Sequence, residues 1–122
     1  MKIQLNQEVQ DEFGYPIVRG NRPPMTLRDI IVNSILAPVR DEEERPKQEK
    51  WEIFKKIRSV KTMEVELKAE EVALIKKLIA KFQSQLIMGE CHEMIEGKYE
   101  RLELIEGYEP VKNEINADLQ PE

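Results

Sequence analysis

The densest gathering of chemically active side chains is Glu90-Cys91-His92-Glu93-Met94-Ile95-Glu96, which holds the only cysteine and the only histidine of a 122-residue chain. A metal site there would pair His92 with Glu96, one helical turn away. Cys91 and His92 are adjacent, so on a helix they point about 100° apart. Zinc needs three or four converging ligands, and no distant Cys or His is present to supply them. The metalloprotease pattern His-Glu-x-x-His lacks its second histidine. A Cys–His nucleophilic pair meets the same obstacle, because neighbouring helical residues do not face each other. A thiol among glutamates also lacks the electropositive setting that activates one. The expectation is a buried structural Cys91, with His92 and its glutamates solvated. No catalytic, cofactor-binding or metal-binding residue is expected.

Acidic groupings at Glu64/Glu66, Glu70/Glu71 and 42–44 suggest acid–base work or a hard cation. The run 41–44 lacks the alternating ligands and central glycine of a calcium loop. These groupings read as solvated acidic faces. The five glycines are scattered at 14, 20, 89, 97 and 107. None opens a helix after a strand, as a phosphate-binding Gly-x-Gly-x-x-Gly turn does. Lys47, Lys50, Lys55, Lys56, Arg58 and Lys61 form a cationic ridge beside Trp51, an arrangement that single-stranded nucleic acid can use. The commoner arrangement puts Trp51 in the core and the lysines on its wet side.

The balance of 19 Lys+Arg against 24 Asp+Glu gives a net charge of −5. That argues against broad nucleic-acid binding, which needs clustered cations to displace counterions. No stretch approaches the roughly 18 uncharged apolar residues of a membrane span. The N-terminus has no basic region leading into an apolar one, so no signal peptide is expected. One cysteine and no export signal fit a reducing compartment. With 40% hydrophobic and 35% charged residues, the chain has material for one core and one domain.

The elements that would position these side chains follow from local signals. Ile3 and Leu5 alternate with polar neighbours in an extended N-terminal arm over 1–24. Gly14 is free to turn the chain, and Tyr15, Ile17 and Val18 are candidates for a return strand. Thr26 caps a helix, with Asp29 completing a capping box and Met25 and Ile30 as a staple. Leu27, Ile30, Ile31 and Ile35 form its apolar face, widened by Val32 and Leu36, and Pro38 stops it. A second helix is predicted over 46–59 with Pro46 near its first position and Trp51, Phe54 and Ile57 as one face. Met63, Val65 and Leu67 alternate with glutamates in a strand at 63–67, whose partner is the arm or a second copy. Helices over 69–82 and 85–96 follow, the second closed by Gly97. Tyr99, Leu102, Ile105 and Tyr108 recur every three residues as in a short helix. Val111, Ile115 and Leu119 suggest a weak one. The predicted architecture is a mostly α, α+β domain: the arm, a helical core over 25–97 with about four helices and one short strand, and a C-terminal segment over 98–122 suited to ordering by a partner.

Two consecutive helices carry broad apolar faces, and a domain this small struggles to bury both alone. Methionine-rich faces also adapt to partners. Trp51, Phe54, Ile75, Leu78, Phe82, Ile87, Met88 and Met94 are therefore candidates for a protein-interaction face or the core. A homo-oligomer, or docking on another protein, is expected.

The series Thr26-Leu27-Arg28-Asp29-Ile30-Ile31-Val32-Asn33-Ser34-Ile35-Leu36, an acidic loop, a Trp/Phe helix, Val65-Glu66-Leu67-Lys68-Ala69-Glu70-Glu71-Val72-Ala73-Leu74-Ile75 and Leu86-Ile87-Met88-Gly89 resembles a set of small proteins encoded in tailed-phage and prophage genomes. Lys2-Ile3-Gln4-Leu5 and Phe13-Gly14 extend the resemblance, which covers residues 2–96. Those proteins have no assigned activity, so no site residue carries over. The resemblance implies a phage-encoded protein working inside an infected bacterium, in its cytoplasm or in the virion. The expected function is non-enzymatic protein–protein contact, as a virion or assembly component or a tail-assembly chaperone. The alternatives are a small inhibitor of a host process or anti-phage defence system, and a small-ligand or nucleic-acid-binding accessory protein.

Overall fold

In a computed structural model the structure describes residues 1–103. The chain runs β1 (Lys2–Gln4), α1 (Leu27–Leu36), α2 (Glu44–Ser59), β2 (Glu64–Glu66), α3 (Ala69–Phe82) and α4 (Gln85–Glu96). Among the described residues these are four helices and one two-stranded antiparallel sheet, a mostly α, α+β fold. No helix among them is long and apolar enough to cross a membrane.

The alternating segment finds its partner in the arm. Ile3 lies opposite Val65, with Lys2 opposite Glu66 and Gln4 opposite Glu64. The N–H groups of Leu5 and Leu67 donate to the carbonyls of Met63 and Met1 and extend the pairing at both ends. Strand periodicity then sends Ile3, Leu5, Val65 and Leu67 into the core and the polar residues out. Met63, expected on the inner side, lies beyond the last paired residues and is exposed. The return strand at 15–18 does not form. Gln10 and Pro16 make an isolated bridge instead, because Pro16 has no N–H to continue a ladder.

Thr26 caps α1 as expected: Asp29 N–H donates to Thr26 Oγ1 at 3.4 Å, and the Asp29 carboxylate accepts from Thr26 N–H at 3.0 Å. Ala37 is extended ahead of Pro38, which ends the helix. Leu36, expected to widen the apolar face, is 57% exposed instead.

Helix α2 begins at Glu44, two residues before the predicted start, so Pro46 is its third residue. The missing N–H costs nothing there, because first-turn amides have no helical acceptor. Its buried stripe is Lys50, Ile53 and Ile57. Trp51, expected in the core, lies about 100° round the helix from Lys50 and is 44% exposed.

Helices α3 and α4 match their predicted spans, and Gly97 closes α4 in the left-handed region at φ 75°. Val72, Ile75, Leu78 and Ile79 of α3 are buried with Cys91, Met94 and Ile95 of α4. Helix α3 packs on α1 and α4, and the sheet closes the same core. Lys56–Glu71 and Lys76–Glu96 ion pairs tie α2 to α3 and α3 to α4. Residues 98–103 carry no helix, contrary to the three-residue recurrence of Tyr99 and Leu102. The predicted continuation through Ile105 and Tyr108, and the weak helix over Val111, Ile115 and Leu119, lie outside the described residues.

Candidate functional site

The corner between α1 and α2 is a concavity of about 340 Å³. Leu36, Pro38 and Val39 line it from the end of α1, and Trp51 and Phe54 from α2, with Lys47 at its edge. The proline that stops α1 directs Val39 into this wall instead of a further helical turn. Asp41 then takes φ 58°, a left-handed conformation that aspartate tolerates better than most residues. That turn returns Glu42 to α2, where its Oε2 lies 2.5 Å from Lys50 Nζ. Both charged groups line the concavity, and Lys50 is only 7% exposed.

Trp51 and Phe54 stack as a tilted pair with ring centroids 5.8 Å apart. The Arg58 guanidinium lies 5.2 Å from the Trp51 ring centre and 5.3 Å from that of Phe54, within cation–π range. Positions 47, 51, 54 and 58 are spaced i, i+4, i+7 and i+11, so helical geometry places them on one stripe. The predicted cationic ridge is divided. Lys50 is neutralised by Glu42, Lys55 pairs with Glu52, and Lys56 pairs with Glu71. Lys47 and Arg58 form no ion pair with the described residues.

A second polar centre joins the arm to the chain after α4. Gln10 is 2% exposed. Its side-chain N–H groups donate to the carbonyls of Gly14 and Leu102, and its Oε1 accepts from Leu102 N–H at 2.8 Å. Its backbone N–H donates to Glu90 Oε1 at 2.9 Å. The Tyr99 hydroxyl lies 2.7 Å from Glu90 Oε1 and 2.8 Å from Gln10 Oε1, and its single proton serves one of them at a time. Burial, then the hydrogen bond to Glu90 and its charge, push the Tyr99 hydroxyl well above the ordinary phenol range. Gly14 is required here on two counts. Its φ is +92°, and a Cβ on it would lie 3.1 Å from the Leu102 carbonyl oxygen. This is a structural clasp, and it corrects the expectation that the glutamates around His92 are all solvated: Glu90 is bound.

His92 is likewise half-buried, with Nε2 2.9 Å from the Lys76 carbonyl oxygen. Cys91 is fully buried. Burial, helped by the Glu90 charge, pushes its thiol up to about 12, so almost no thiolate exists near neutrality. No group of three or more His, Cys, Asp or Glu among the described residues is placed to hold a metal ion.

The eight candidate residues separate by position. Ile75, Leu78 and Met94 are in the core, while Phe82, Ile87 and Met88 pack half-buried against it. Trp51 and Phe54 come together in the α1–α2 concavity. Sequence reasoning missed its other wall, Leu36, Pro38 and Val39. The one local signal for it is an apolar residue immediately before a helix-stopping Ala37-Pro38. Comparison with family models, with curated proteins and with solved structures finds no match for the chain.

Proposed function

We propose that this is a non-enzymatic, phage-encoded protein that acts by protein–protein contact, as a virion or assembly-associated protein such as a tail-assembly chaperone. The observation that carries the contact reading is the shared exposure of Leu36 and Trp51 in one concavity, with Arg58 over the indole. Tryptophan and arginine are the residues most enriched where binding energy concentrates, and exposed apolar surface in a concave site marks an interaction surface. The phage origin and the place of action, the infected cell or the virion, rest on the resemblance over residues 2–96.

The test is affinity purification of the tagged chain from phage-infected bacteria, beside Trp51→Ala and Leu36→Ser variants, with light scattering to read stoichiometry. Co-purification of phage structural proteins that the two substitutions abolish supports the proposal. A stoichiometric complex with a host enzyme replaces assembly with inhibition. A monomer that binds no protein in infected cells overturns the reading.

A further inference from the structure

We infer that the α1–α2 concavity receives an acidic peptide segment of another protein, which seats an aliphatic or aromatic side chain between Leu36 and Trp51 and sets its carboxylates against Lys47 and Arg58. This rests on the contact reading above and names the chemistry of the partner.

The charge pattern carries the inference. The whole chain is acidic, at −5, yet the stripe flanking Trp51 presents two cations with no ion-pair partner among the described residues. Three neighbouring carboxylates are already answered: Glu42 by Lys50, Glu49 by Arg45 and Glu52 by Lys55. Glu43 and Glu44, at the start of α2, form no ion pair among the described residues, but neither lines the concavity, whose one lining carboxylate is Glu42. The exposed guanidinium, held 5.2 and 5.3 Å from two ring centres, is placed for a carboxylate that closes over it. The remaining lining chooses the body of the ligand. Leu36, Pro38 and Val39 are aliphatic and offer no stacking plane for a base. Two unpaired cations on a net-acidic protein are few for a polyphosphate, whose affinity grows with each phosphate neutralised. Apolar walls with cations at the edge are the lock for an amphipathic acidic segment.

An unbiased random peptide library is selected on the full chain, and synthetic versions of the enriched peptides are titrated against it. Trp51 is the single tryptophan, so its emission reports occupancy of this site directly. The expected result is enrichment of Asp and Glu around Leu, Ile, Phe or Trp, a blue shift of the emission on binding, and weakening by about tenfold as salt is raised. Lys47 and Arg58 are both exposed. The Lys47→Glu/Arg58→Glu double variant, checked for an unchanged circular dichroism spectrum, should lose the acidic peptides and accept their lysine-substituted counterparts. Enriched peptides that are neutral or basic but still need Trp51 overturn the acidic assignment and leave the contact reading standing. Failure to enrich any peptide overturns both. Salt-sensitive quenching of Trp51 by oligothymidylate, without peptide enrichment, also overturns both and points to single-stranded nucleic acid.

Discussion

Lys50 and Glu42 form a buried ion pair, with Nζ 2.5 Å from Oε2, on the side of α2 that also buries Ile53 and Ile57. Without Glu42 the lysine would be an unpaired charge at 7% exposure, a state that costs several kcal/mol. The pair lets Lys50, Ile53 and Ile57 turn inward and leaves Trp51 and Phe54 to build the groove with Leu36.

Glu42→Gln should therefore destabilise the fold by about 3 kcal/mol, because it strands the ammonium in the interior. Replacing both partners, in Lys50→Met/Glu42→Leu, should return stability to within about 1 kcal/mol of the parent, since apolar groups of similar volume carry no desolvation cost. Urea denaturation midpoints of the three proteins measure this. Equal losses in the single and double variants would show that the pair does not anchor the corner.

Trp51→Ala should change stability by about 1 kcal/mol or less, as expected of a partly exposed ring that touches Phe54 and Arg58 outside the core. Ile75→Asp or Leu78→Asp should cost more than about 4 kcal/mol, each placing an unpaired carboxylate in a filled core. Thermal unfolding followed by circular dichroism separates the two classes. A Trp51→Ala protein that unfolds like Ile75→Asp would make the indole structural.

Stability should fall in alkali. The Cys91 thiol goes from an ordinary value of 9.0 to about 12 on folding, and Tyr99 is raised from 10.0. Well below pH 9 both groups are protonated in the folded and unfolded chains, and the stability they contribute is fully present. As pH rises from 9 towards 12 the unfolded chain releases its thiol proton while the folded chain keeps it, so stability drains away. Cys91→Ser should flatten the fall in that window, measured as the urea midpoint against pH. Thiol reagents should label Cys91 slowly in the native protein and quickly in urea.

Gln10→Ala should release residues 98–103 while leaving the helices in place. The substitution removes two bonds to Leu102 and one to Gly14 and leaves the Tyr99 hydroxyl with Glu90 alone. The expected loss is about 1–3 kcal/mol. Hydrogen exchange at the Leu102 amide should become fast, while amides of α3 keep their protection. Retained protection at Leu102 would refute the clasp.

The parts of this protein readable from sequence rest on interactions between near neighbours. Thr26 and Asp29 are three residues apart, Pro38 acts on Ala37, Gly97 ends its own helix, and the Glu64–Glu66 strand declares itself by alternation. The apolar periodicity of α3 and α4 is equally local, and it located their buried stripes. The facing of α2 is different. Lys50, Ile53 and Ile57 compete with Trp51, Phe54 and Ile57 for the inner side, and apolar pattern alone favours the aromatic stripe. Only the tertiary fold brings Glu42 to the lysine, through a left-handed Asp41, and reverses that preference. Gln10 and Tyr99 are separated by 89 residues, so no window of sequence contains both halves of their hydrogen bond. Chain-local sterics and hydrogen bonds determined the elements. The choice of which faces to cover, and hence the exposed groove, belongs to the packing of α2 on α1 with Lys50 neutralised by Glu42, which exists only once the chain has folded.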